Sequence, residues 1–269
     1  MHLSETRVVL TGASGGIGLA ITTALCASGA RVLAVARHRE PLAPLLERYP
    51  QQLCWIGADL TFLNDRRKVL AAAEAIGGIN LLINAAGVNH FAMLEQLDDS
   101  DINAMLAVNI SAPICLTKLL LPLLKQAESA MVVNVGSTYG SIGYPGYASY
   151  CATKFALRGF SEALRRELAD TRVGVLYVAP RATRTSMNSP AAQALNDALK
   201  SSVDNPQTVA SAVMHAIAGD HRDLYLGWPE RFFVRLNSLL PNLVDRGLRK
   251  QLPLIRRLSQ KPDNENLKP

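Results

Sequence analysis

Arg7-Val8-Val9-Leu10-Thr11-Gly12-Ala13-Ser14-Gly15-Gly16-Ile17-Gly18 is the stretch on which the fold turns. It opens with a short apolar run, too short for a helix, and passes straight into glycines. A helical apolar pattern follows through Leu19, Ile21, Leu25 and Cys26, ending near Ser28-Gly29. The order is strand, glycine loop, helix. Glycine permits a tight turn and lets the backbone approach a diphosphate at the helix N-terminus, where unpaired N–H groups favour anions. Gly12, Ser14, Gly15, Gly16, Ile17 and Gly18 are therefore candidate contacts to a nucleotide phosphate.

The same alternation continues outward from this unit. Further strands are expected at 31–36, 53–57, 79–83, 131–135, 173–178 and 223–226. Between them lie helical patterns from about Phe62 through Ile76, from Ser100 to Gln126, from Tyr150 to Ala169 and at 205–218, with a helical flap at 185–200. Strands alternating with helices predict the α/β class. The expected architecture is a Rossmann-type, doubly wound parallel sheet of about seven strands with helices on both faces. Ligands then lie along the carboxyl ends of the strands.

Those ends carry the polar features. The second strand ends in Arg37-His38-Arg39 with no acid. A carboxylate there accepts hydrogen bonds from the 2′-hydroxyl of NAD, whereas arginine accommodates the 2′-phosphate of NADP. Arg37 thus points to NADP(H) over NAD(H); the plain alternative is a solvated basic cluster. Asp59, followed by Leu60, is placed either to cap the next helix or to approach an adenine amino group. Asn84-Ala85-Ala86-Gly87 ends the fourth strand with small residues suited to close approach by a ligand. Tyr150 and Lys154 share a helix face one turn apart. A cation close to a phenol favours phenolate, so this pair is a candidate proton donor and acceptor tuned toward neutrality. Asn109, inside an otherwise apolar helix, either serves the site or bonds to a packing neighbour.

Together these motifs strongly resemble the short-chain dehydrogenase/reductase family over about residues 5–226. Thr11 to Gly18 is similar to its TGxxxGxG loop, and Asn84 to Gly87 to its NAG segment. Tyr150-x-x-x-Lys154 resembles the catalytic signature, with Ser137 thirteen residues before the tyrosine. Tyr147 is a weaker alternative, because the residue four beyond it is Cys151. The resemblance implies that Tyr150 exchanges a proton with a carbonyl or alcohol oxygen that Ser137 holds. It implies that Lys154 lowers the phenol pKa and binds the nicotinamide ribose, and that Asn109 positions a water. It further implies cofactor contacts at Asp59, Leu60, Asn84, Ala85, Ala86, Gly87, Pro180, Thr183 and Thr185, no metal, and a homodimer or homotetramer built on the long helices around Asn109 and Tyr150. One departure is Arg181 where the family usually has glycine after Pro180. Arg181 and Arg184 either face the substrate entrance and attract an anion, or are exposed loop residues. The segments around 88–93, 141–147 and 185–199 face the substrate without a motif that names it.

Composition narrows the alternatives. Hydrophobic residues make up 49% of 269, enough for one large catalytic domain over residues 1–227. Residues 1–221 carry 18 basic and 17 acidic side chains, while 222–269 carry 10 and 5. A balanced main domain argues against nucleic-acid binding. The cysteines, Cys26, Cys54, Cys115 and Cys151, are widely spaced and read as reduced core thiols of a cytoplasmic protein. Residues 1–6 contain no apolar leader, and no uninterrupted apolar run approaches the ~18 residues of a membrane span.

Residues 228–260 form an additional basic, amphipathic helical extension, and 261–269 are expected to be disordered. Trp228, Phe232, Phe233, Leu236, Leu239, Leu240, Leu243, Val244 and Leu248 alternate with arginines. Pro229, Pro241 and Pro253 each suit a helix first turn, predicting two or three short helices. The extension reads either as a lid or subunit contact, or as a membrane-surface element over 228–257 that admits lipophilic substrates. The leading expectation is an NADP(H)-dependent enzyme interconverting a carbonyl and a secondary alcohol, with a hydrophobic or acyl-chain substrate. A nucleotide-sensing regulatory protein on the same fold and a membrane-peripheral scaffold are the alternatives.

Overall fold

The structure is a computed structural model and describes residues 1–260. The disorder expected at 261–269 lies outside the described residues. Seven strands, β1 (Arg7–Thr11), β2 (Arg31–Ala36), β3 (Leu53–Gly57), β4 (Leu81–Asn84), β5 (Ala130–Val135), β6 (Val173–Ala179) and β7 (Asp223–Tyr225), form one sheet. All pairings are parallel, in the order β3-β2-β1-β4-β5-β6-β7. Chain direction across the sheet reverses between β1 and β4, and a crevice opens at such a point. Residues 79 and 80 precede β4, whose first ladder partner is Leu81 against Val8.

The helices are α1 (Gly16–Ala27), α2 (Ala43–Arg48), α3 (Leu63–Ala75), α4 (Asp99–Leu106), α5 (Ala112–Gln126), α6 (Ala148–Glu167), α7 (Pro190–Ala198), α8 (Pro206–Ala218), α9 (Trp228–Leu239) and α10 (Pro241–Ser259). Successive strand residues point to opposite faces, so buried strands are apolar on both. Val8 and Leu10 of β1 pack with Ile21 and Leu25 of α1 and Val209 and Val213 of α8. Val9, between them, packs with Val69 of α3, Leu116, Leu120 and Leu124 of α5, and Leu164 of α6. Asp99–Gln126 is long and apolar enough to cross a bilayer by length and composition, but it is a packing helix against this second face.

Local differences have physical causes. A π-turn at Ala107–Ser111 interrupts the long helix at Asn109, whose side chain is pulled toward the neighbouring loop. In the flap only Pro190–Ala198 is helical, started by Ser189 accepting from the Ala192 N–H. The extension is two helices rather than three. Pro229 and Pro241 sit in first turns, but Pro253 lies inside α10, where its ring is exposed. Cys26 and Cys151 are core thiols, whereas Cys54 and Cys115 are exposed. Burial pushes the Cys151 thiol up, away from nucleophilic character.

Candidate active site

Two adjoining clefts lie at the carboxyl end of the sheet. The larger, about 540 Å³, runs over Gly12, Ser14 to Gly18, Arg37, Asp59, Leu60, Ala85 to Gly87, Tyr150, Lys154 and Thr185. The smaller, about 210 Å³, is bounded by Ser137, Tyr139, Tyr147, Tyr150, Pro180, Thr183 and Thr185. Gly136 and Tyr150 line both, so the two spaces meet at the phenol.

The glycine loop makes the larger cleft possible. Gly12 has φ +67°, and a Cβ there would stand 2.7 Å from the Ala86 backbone. The two loops can touch only without that carbon. A Cβ on Gly18 would overlap the Gly12 carbonyl, so α1 also depends on glycine to reach the loop. Thr11, unnoticed in sequence as a site residue, fixes the facing turn: its Oγ1 accepts from the Ala85 and Ala86 N–H groups at 3.1 and 3.2 Å. The first-turn N–H groups of a helix have no intrahelical partners, and in α1 the first-turn residues Gly16, Ile17 and Gly18 line the cleft. At the other end Arg37 is exposed at the tip of β2, and no carboxylate pairs with it among the described residues.

Asn84 departs from expectation, and Asp59 and Asn109 each take one of their two expected places. Asn84 is not a cleft residue. It lies opposite Asn134 in the ladder and turns into the core, donating to Thr117 Oγ1 (3.1 Å) and Asn134 Oδ1 (2.9 Å). Asn134 in turn donates to Ser161 of α6, so this buried ladder ties β4 and β5 to the Tyr150 helix. Asp59 does not cap α3; its Oδ1 accepts from the Thr61 N–H and hydroxyl, a local turn that leaves it on the cleft wall. Asn109 braces the site. Its amide accepts from the Val88 N–H and donates to the Val88 carbonyl and Thr153 Oγ1, which donates to the Tyr150 carbonyl.

Ser137 follows β5 with its Oγ accepting from the Tyr139 N–H at 3.1 Å, which leaves the hydroxyl proton free to donate outward. Its backbone is held by Tyr177, a fully buried side chain of β6 that sequence reading missed. The Tyr177 hydroxyl donates to the Ser137 carbonyl (3.2 Å) and accepts from its N–H (3.4 Å). Side chains at Gly136 or Gly140 would overlap that ring, which explains the glycines around Ser137. Tyr177→Phe strands the Ser137 N–H, while the Ser137 carbonyl keeps the Gly140 N–H at 2.9 Å, and is expected to cost about 1–3 kcal/mol of stability, read by denaturant unfolding. It is also expected to lower turnover more than cofactor affinity.

Lys154 is buried, and its Nζ donates to the Val135 carbonyl at 3.1 Å and sits 5.6 Å from the centre of the Tyr150 ring. Burial pulls the lysine down to about 8. Burial likewise pushes the Tyr150 phenol up, with the Ser137 hydroxyl working the other way. Burial is the largest influence on both groups, because desolvation disfavours both charged forms. Thr185 packs on Gly16, bringing the loop after β6 onto the glycine loop. Thr183 is turned back to the Arg181 carbonyl, and Pro180 accepts from the Thr138 N–H. Arg181 is no anion lure: it is doubly bonded to Asp204 (2.7 and 3.0 Å) and paired with Glu230 of α9 at 3.4 Å. Arg184 is exposed.

A family model described as short chain dehydrogenase matches residues 6–196, which span both clefts. The chain belongs to the short-chain dehydrogenase/reductase family. It is accordingly an oxidoreductase that uses a nicotinamide cofactor and acts on small molecules. Among relatives of this dehydrogenase, the 3-oxoacyl-[acyl-carrier-protein] reductase of Vibrio cholerae is 28% identical over 79% of this chain and 90% of its own. A Burkholderia cenocepacia short chain dehydrogenase solved in complex with NADP superposes with a TM-score of 0.79 at 26% identity, covering 92% of this chain and 99% of that one. A Burkholderia phymatum member solved with NAD gives 0.80 at 21% identity, covering 98% and 99%, a likeness of fold.

Proposed function

We propose that this dehydrogenase reduces an apolar carbonyl compound with NADPH, and in reverse oxidises the corresponding secondary alcohol. The observation that carries the reading is the meeting of the two clefts at Tyr150, with Ser137 on the substrate side and Lys154 on the cofactor side. The residues present fit a phosphorylated dinucleotide: first-turn N–H groups for the diphosphate, and an unpaired arginine where a 2′-phosphate falls. A bound nicotinamide supplies the hydride. Gly12, Ser14 to Gly18, Arg37, Asp59, Leu60, Ala85 to Gly87, Lys154 and Thr185 would hold the cofactor. The NADP complex of the Burkholderia cenocepacia relative supports the preference.

Ser137, its lone pair engaged by Tyr139, donates its proton to the carbonyl oxygen and fixes the reacting group. Tyr150 delivers its proton to that oxygen as the alcohol forms. A phenol raised by burial stays protonated at neutral pH, the form that reduction needs. Lys154 orients the ribose and, while charged, stabilises the phenolate left behind. Tyr139, Tyr147 and Tyr150 meet tilted or edge-on beside the opening, and Phe91 stacks on Tyr147 at 4.9 Å. That wall suits an apolar or acyl-chain substrate, in line with the acyl reductase among the relatives. We place the subunit contact of a dimer or tetramer on the α4–α5 and α6 surface, where Leu106 and Phe155 are exposed. All four cysteines are free, which suits the cytoplasm.

The test is NADPH consumption with a panel of apolar ketones across pH. Lys154 carries its charge below about 8 and loses it above. Reduction at limiting substrate is expected to hold at neutral pH and fall as pH rises through that value. The stability contribution has the opposite sign: between about 8 and the ordinary 10.5 the unfolded chain holds the extra proton, so the fold gains stability as pH rises there. No consumption with any ketone, or a rate that climbs through pH 8, overturns the reading.

A further inference from the structure

We propose that the outward face of α9, with the corner into α10, docks this protein on an anionic phospholipid surface. The two faces of α9 differ in what they meet. Its inward contacts are Glu230 to Arg181, the buried Val234, and Asn237 donating to the Ser141 carbonyl at 3.0 Å. These positions recur at helical spacing and are largely polar. The opposite stripe is Trp228, Phe232, Arg235 and Leu239. Trp228 and Leu239 are each 79% exposed and Phe232 is 55% exposed, and Leu240 and Leu243 extend the patch round the corner. A water-facing helix has its apolar stripe turned inward. Here polar contacts anchor the helix and the apolar stripe is the free one. A large exposed apolar patch marks an interaction surface.

Charge identifies the partner. The outward side of α10 carries Arg246, Arg249, Lys250, Arg256 and Arg257, and α9 adds Arg231 and Arg235, all exposed. Among the described residues none of these seven has a carboxylate within ion-pair reach. The inward side of α10 is engaged through Gln251 to Tyr144 (2.8 Å) and the buried Ile255. Aromatic and leucine side chains framed by unneutralised arginines are complementary to acyl chains beneath anionic headgroups. A second copy of the same face would instead set like charges against one another, which opposes self-association. Glu230, on the inward side, lines the smaller cleft, so the docking helix itself borders the substrate opening. A substrate dissolved in the bilayer then enters from the docked side; that route rests on the catalytic reading, whereas docking does not.

The experiment is co-sedimentation of the full chain with vesicles of phosphatidylcholine alone or mixed with phosphatidylglycerol. Emission from Trp228 is read in a Trp55→Phe background. The expected result is binding to the mixed vesicles, a blue shift of Trp228, and weakening in high salt. The triple variant Trp228→Ala/Phe232→Ala/Leu239→Ala is expected to lose vesicle affinity by at least about tenfold. Arg246→Glu/Arg249→Glu is expected to weaken binding to the mixed vesicles while leaving circular dichroism unchanged. Absence of binding to the mixed vesicles overturns the proposal. So does a dimer, seen by sedimentation velocity, that the triple variant dissociates while vesicle binding is absent. Turnover of a water-soluble ketone is measured in parallel; its presence without vesicle binding sinks docking alone, and the converse sinks the catalytic reading alone.

Discussion

Replacing Tyr150 by phenylalanine is expected to cut ketone reduction by about 10²–10⁴-fold, the range for removing a positioned general acid. Affinity for NADPH, read by fluorescence titration, is expected to stay within a few-fold. The separation follows from where the side chain stands. Tyr150 borders both clefts, but the glycine loop, Arg37 and the turn held by Thr11 bound the larger one without it. The helix is also fixed independently of the phenol, through Asn109 to Thr153 and Asn134 to Ser161. Loss of the hydroxyl therefore removes a proton donor and little else. A variant that keeps turnover within a few-fold means that the proton comes from another group.

Arg37→Ala is expected to weaken NADPH binding by about 10- to 100-fold, the equivalent of one or two charge-assisted hydrogen bonds. NADH binding is expected to change little, because its adenosine ribose carries no phosphate for the guanidinium to meet. Arg37→Asp is expected to go further and shift preference toward NADH by providing an acceptor for the 2′-hydroxyl. Arg37 is exposed and unpaired among the described residues, so neither change disturbs an existing contact or the core. Equal losses for the two cofactors contradict the assignment.

Much of this was legible in sequence because it rests on local patterns. The strand, glycine loop and helix at residues 7–27 have a short-range signature, and six further strands follow the same rule. The spacing from Ser137 to Tyr150 and Lys154 likewise placed three groups that the fold brings together. What escaped depends on which way a side chain turns at an element's end. Asn84 closes β4, and its neighbours Ala85 to Gly87 reach the cleft, yet the pleat turns its amide into the core beside Thr117. Tyr177 reads as an ordinary apolar strand residue; only the glycines at 136 and 140, spaced around Ser137, hinted that something large lies beneath. The pairing of Arg181 is invisible in sequence because its partners, Asp204 and Glu230, are distant along the chain. The weight of burial at the phenol is hidden from sequence for a similar reason. Spacing shows that Lys154 is near, but the depth at which both groups are buried is a property of the assembled fold. The apolar spacing of the extension is local, while the inverted facing of α9 depends on its contacts with Arg181 and Ser141.

The most direct test of the account follows the hydride itself. NADPH carrying deuterium at nicotinamide C4 is mixed with the enzyme and an apolar ketone, and the alcohol is analysed by mass spectrometry. Deuterium is expected on the former carbonyl carbon with the native protein, and almost none with Tyr150→Phe under conditions where that variant still binds NADPH. Undiminished transfer by Tyr150→Phe, or NADPH oxidation in which deuterium never reaches the organic substrate, contradicts it.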